Sequence, residues 1–262
     1  MVKGKKSYLE IFPEIYQEMI ERVEKRIKKF KANGFPANVS FYLSGMVGDF
    51  RDLGIGEIIL KEDFKKAKVY FYYAAKAQEA IYTMYDSKQN NISADFVSTV
   101  FYPKLFLALL SDQDKIIQSL AQLFGGREKE EIDDDSIDKC IGYSIKYILL
   151  NQDITEKAYI KELKELSNAK ELSWDKSYAL TLLGIVNKDS SLVNEGLNFV
   201  VECHKKLKSD IKETPEELLC IPALGLAKMA LKKGIDVSLN DSAIPMGVLE
   251  YYDIKCPEVD FV

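Results

Sequence analysis

The chain has 262 residues, with 36 Lys and Arg against 41 Asp and Glu and a formal net charge of −5. That balance excludes the broad basic face by which nucleic-acid binders grip phosphates, and it leaves a basic protein as the natural charged partner. Hydrophobic residues make up 47%, enough for a full core, while 14 Gly and 7 Pro fall below the usual combined share of about 12% and so predict few turns and long elements.

The start, Met1-Val-Lys-Gly-Lys-Lys6, is basic but lacks the apolar stretch of a signal peptide. The longest apolar runs, Tyr70–Ala75 and Leu105–Leu110, fall far short of the ~20 residues that span a bilayer. A cytoplasmic protein without a membrane segment is the expectation. Cys140, Cys203, Cys220 and Cys256 form no Cys-x-x-Cys pair, and they read as buried, reduced thiols.

In chain order, the first helix is expected after Pro13 and runs to about Ala32, on the stripe Ile15, Met19, Val23, Ile27 and Phe30. Asn33-Gly34 and Pro36 stop it. A second helix is predicted over Asn38–Leu53, with Gly54-Ile55-Gly56 as a turn; that pair lacks the third glycine and the strand of a phosphate loop. Lys61–Ser87 carries the longest helical pattern, apolar all round at Val69–Ala75, as for a helix enclosed by others. Its run Tyr70-Phe71-Tyr72-Tyr73 suits core packing better than base stacking, with no arginine nearby. Ala94–Leu110 is read as a helix capped by Ser93 and kinked at Pro103, and Asp112–Phe124 as a short helix closed by Gly125-Gly126.

Arg127–Asp138 is the one sharp shift in composition. It reads as a solvated loop feeding a helix with an acidic first turn. The stripe Ile137, Cys140, Ile141, Ser144, Ile145, Ile148, Leu149 follows. Asp153-x-x-Glu156 resembles a capping box for a helix to about Asn168. Helices are then expected over Trp174–Val186 and Leu192–Leu207, and another from the Thr214-Pro215-Glu216-Glu217 signal to Gly234 with a bend near Pro222 and Gly225. A turn at Asn240-Asp241 and a short helix near Pro245–Tyr252 close the chain. The fold class is all-α: a single domain over 1–262, with a helical bundle over 1–126 continuing into antiparallel helical hairpins stacked over 127–262.

His204 is the sole histidine and continues the apolar stripe of Val193, Leu197 and Val200. It therefore reads as packing near a helix C-terminus, and no Gly-x-Ser-x-Gly elbow accompanies it. Asp134-Asp135-Ser136-Ile137-Asp138 resembles the Asp-Asp-x-x-Asp motif of the all-α isoprenyl-diphosphate synthases and terpene cyclases. That likeness implies magnesium held by Asp134, Asp135 and Asp138 for diphosphate chemistry. Asn187-x-x-x-Ser191-x-x-x-Glu195 resembles the cyclases' second metal motif, but Lys188 stands where an acid is usual. Only Arg22, Arg26, Arg51 and Arg127 are available to grip a diphosphate. Without metal, cofactor or catalysis, the carboxylates of Glu128, Glu130, Glu131, Asp133, Asp134, Asp135 and Asp138 could instead hold a basic protein partner.

The stretch from Glu217 to Pro245 resembles the end of the immunity protein 49 family. The likeness lies in the small-residue helix Ala223–Ala230, the Lys232-Lys233-Gly234 stop, the extended Ile235-Asp-Val-Ser-Leu239, and Ile244-Pro245. It extends more loosely back through Trp174–Leu180 and the following helix, and to the layout of the whole chain. The resemblance implies a helical, non-enzymatic inhibitor that accompanies a bacterial polymorphic toxin and neutralises it by binding. These are packing residues, so no functional residue is carried over.

Overall fold

The computed structural model describes residues 7–154, 158–207, 210–259 and 261. Among them are ten α-helices and no strand. The first helix, α1 (Tyr8–Asn33), begins one turn earlier than Pro13 suggested. Glu10 explains the extra turn, because its carboxylate accepts from the Ser7 backbone N–H and Oγ at 2.7 and 3.1 Å, tying up the helix entrance. Gly34, at φ 71°, ends it as expected.

Helix α2 (Val39–Lys61) corrects the sequence reading, for it runs straight through Gly54-Ile55-Gly56. The two glycines serve close packing instead. A Cβ on Gly54 would stand 2.6 Å from the Phe71 ring, and one on Gly56 2.1 Å from the Tyr16 ring. Helix α3 (Phe64–Asp86) follows after only Glu62 and Asp63, with Glu62 left-handed and Asp63 capping Lys66 N–H. So short a link makes α2 and α3 antiparallel neighbours along their length.

The expected helix over Ala94–Leu110 is replaced by two 3₁₀ turns, Ala94–Phe96 and Thr99–Phe101, before α4 (Lys104–Leu110). The Ser93 and Ser98 hydroxyls take the N–H groups of Asp95 and Val100, offering the backbone a local alternative to a helix. Helices α5 (Asp114–Leu123), α6 (Ser136–Leu149), α7 (Ala158–Ser167), α8 (Trp174–Asn187) and α9 (Ser190–Lys206) follow. Glu156, and with it the expected capping box, lies outside the described residues. Thr214 begins only a 3₁₀ turn, Pro215–Glu217. Cys220 N–H then donates to Ala243 O at 3.0 Å, and α10 (Ile221–Lys232) starts beyond it, with Pro222 in its first turn rather than at a bend. The short helix near Pro245–Tyr252 is a 3₁₀ turn, Met246–Val248.

One hydrophobic cluster runs through both halves. Helix α2 packs between α1 and α3, and α8 between α7 and α9, while α4 lies against α10. Phe106 of α4 fills the space above Gly225 of α10, where a Cβ would come within 2.3 Å of it, and stacks on Tyr178 of α8 with ring centroids 6.1 Å apart. Beneath this packing lies a buried ionic clasp. Asp112 takes Lys68 of α3 and Lys228 of α10, each at 2.6 Å. The two ammonium groups also donate to the carbonyls of Val248 and Leu249, at 2.8 and 2.9 Å, and so hold the C-terminal segment. Among the described residues no helix is long and apolar enough to cross a membrane.

Candidate partner-binding face

The acidic run sits between the end of α3, the 3₁₀ turns and the start of α6, and its charges divide by job. Glu131 is buried. It accepts from Arg127 N–H at 2.8 Å and from the Tyr143 hydroxyl of α6 at 2.7 Å. Burial, then the bond to Glu131, pushes the Tyr143 phenol well above its ordinary value. Glu130 accepts from the Tyr85 hydroxyl at 2.6 Å, which holds its carboxyl below the usual range and raises the phenol to about 12.

Asp134 reaches across to the 3₁₀ turns. One oxygen takes Ser98 Oγ–H at 2.6 Å, and the other takes Thr99 N–H and Oγ1–H, both at 2.7 Å. Burial alone would raise this carboxyl, but the bonds from Ser98 and Thr99 outweigh it and leave it low. Asp135 is the N-cap of α6, accepting Ile137 N–H at 2.7 Å. Asp138 lies half-buried in the first turn, where burial and then the charges of Asp135, Asp175 and Asp134 raise it. Glu128, Asp133 and Asp135 are exposed. So the structure brings the predicted carboxylates onto one loop and the first turn of α6, yet gives most of them internal partners. The partners of Glu130 and Asp134 lie 35 to 45 residues away in the chain, beyond the reach of any local pattern.

Arg127, which opens the charge run, is the anchor of this region. It is 8% exposed, forks onto Asp86 through Nε and Nη2 at 2.8 and 2.7 Å, and lies over the rings of Tyr82 and Tyr85 at 4.9 and 5.8 Å. A planar guanidinium suits this combination of bidentate pairing and stacking. Its Nη1 is buried without a hydrogen-bond partner among the described residues. Arg127 and Glu130 wall a depression of about 400 Å³ with Met84, Lys88, Asn91 and Ile92.

Two carboxylates of the Asp-Asp-x-x-Asp stretch have partners within the chain. Both Asp134 oxygens are engaged by Ser98 and Thr99, and Asp135 caps its own helix. Among the described residues, no three His, Cys, Asp or Glu side chains are grouped to hold a metal ion. The second motif is split, because Asn187 ends α8, left-handed Lys188 turns the chain, and Ser191 and Glu195 belong to α9. His204 is buried in the last turn of α9 beside the Lys205–Asp241 ion pair, which closes at 2.5 Å. Burial raises the Cys140 and Cys220 thiols to about 12, which keeps them protonated and unreactive at neutral pH. No protein-family model, no curated protein and no solved structure matches the chain.

Proposed function

We propose that this protein is a non-enzymatic immunity protein, which binds a cognate bacterial toxin in the cytoplasm and neutralises it by covering a basic surface. The observation that carries the reading is the division of labour in the acidic run. Glu130, Glu131 and Asp134 fix the loop through internal bonds, and a fixed loop then presents Glu128, Asp133 and Asp135 outward. Charges held in place before contact steer association and select a partner of opposite sign. The resemblance of Glu217–Pro245 to the immunity protein 49 family supports the same reading. That stretch forms α10 and the segment bound to it.

The test is binding to the toxic domain encoded by the adjacent gene. Glu128→Lys with Asp133→Lys should slow association about tenfold at low salt and flatten its salt dependence, with thermal stability unchanged because neither side chain is buried. Association as fast as that of the wild type at low salt would remove the acidic loop from the interface.

A further inference from the structure

We infer that Phe41, Val100 and Ile132 form the apolar centre of this face, and that it takes a protein segment in which aliphatic or aromatic side chains are flanked by lysine or arginine. The inference rests on the binding-protein reading and names the chemistry of its partner. Phe41 is 67% exposed, Val100 49% and Ile132 74%. Singly, such residues call for no explanation; gathered together, they mark an interaction surface.

Three segments bear them, and short contacts tie the segments to one another. Ser93 N–H donates to Ser40 Oγ at 3.0 Å, and Phe41 meets Phe96 edge-on with ring centroids 5.1 Å apart. Asp134, two residues beyond Ile132, holds Ser98 and Thr99 beside Val100. The apolar groups are thus fixed on loops that need little further ordering on contact. The same segments carry the exposed carboxylates of Asp95, Glu128, Asp133 and Asp135, offset only in part by Lys129 and Lys139. An apolar centre within a charged rim is the usual anatomy of a protein interface, and here the rim is acidic. A second copy of this chain fits poorly, because a two-fold contact would set these carboxylates against their own copies.

A phage-displayed random-peptide library panned on the immobilised full-length chain at low salt tests this. Recovered peptides should carry apolar residues flanked by Lys or Arg. Their affinity should fall about tenfold or more, ~1.4 kcal/mol, on Phe41→Ser and on Ile132→Ser, while Leu231→Ser, an exposed apolar site elsewhere, should leave it unchanged. All three positions are surface-exposed, so the fold should survive each change. Failure to recover peptides, recovery of peptides without basic flanks, or binding indifferent to both substitutions would overturn the inference. So would sedimentation showing a wild-type dimer that Ile132→Ser dissociates. The two readings fail separately. A chain that binds such peptides but does not neutralise the adjacent toxin removes the immunity function and leaves the surface. Full neutralisation by Phe41→Ser and Ile132→Ser removes the surface and leaves the function.

Discussion

Asp134 holds residues 98–99 beside the acidic loop, so its protonation state matters to the fold. Its folded pKa lies below the ordinary 3.8. A carboxyl lowered by folding contributes stability that is present above its unfolded value and lost as pH falls through the folded one. Asp138 acts in the opposite sense, since its raised carboxyl favours the folded state as pH falls. Asp134→Asn should therefore cost about 1–3 kcal/mol at neutral pH, because it can place an amide donor opposite Thr99 N–H. The deficit should shrink in acid, where the wild type also loses its carboxylate. Urea unfolding at neutral and acid pH measures both, and a deficit independent of pH would sink the account. His204→Gln tests a structural role for the buried ring: it should cost about 1–2 kcal/mol and leave toxin neutralisation intact. Lost neutralisation at unchanged melting temperature would make the histidine functional.

At the scale of the element, α2 shows why glycines misled the sequence reading. Gly54 and Gly56 look like a turn because nothing local reveals that rings from α1 and α3 occupy the space a side chain would need. Gly48, in the same helix, has nothing within 4 Å of a built Cβ. The two positions should respond with opposite signs. Gly48→Ala should stabilise by about 0.5–1 kcal/mol through helix propensity. Gly56→Ala should cost about 1–3 kcal/mol by driving into Tyr16 and disturbing its 2.6 Å bond to buried Glu57. Thermal melts of the two variants decide it, and losses of equal size would refute the packing role. The amphipathic stripe of α6 is legible in the sequence: Cys140, Ile141, Ser144, Ile145, Ile148 and Leu149 are all buried, as their spacing implies. Residues 94–101 are not, since serine hydroxyls and a carboxylate 35 residues away decide their backbone. For the same reason the acidic run reads as solvated: the partners of Glu130 and Asp134 are distant in sequence.

For the whole molecule, the Lys68–Asp112–Lys228 clasp joins α3, the turn after α4, α10 and the C-terminal segment. No spacing rule relates residues this far apart. Two cations share one anion, so the buried site carries an excess positive charge. Burial, then the neighbouring Lys228, outweighs Asp112 and lowers the Lys68 ammonium to about 8. Between that value and the ordinary 10.5 the unfolded chain binds the proton more readily than the folded one. Stability should therefore rise with pH across this window. Lys104, also lowered to about 8, adds to the same rise. Lys68→Met should remove its share of the alkaline gain and leave Asp112 and Lys228 as a neutral pair. Asp112→Asn should be far worse, costing about 3–5 kcal/mol, because two buried cations would face each other uncompensated. It should also loosen residues 248–252, whose carbonyls and Tyr252 N–H converge on the clasp, and hydrogen exchange at Tyr252 would register that. If Lys68→Met keeps the full alkaline gain of the wild type, the excess charge is not buried at Lys68.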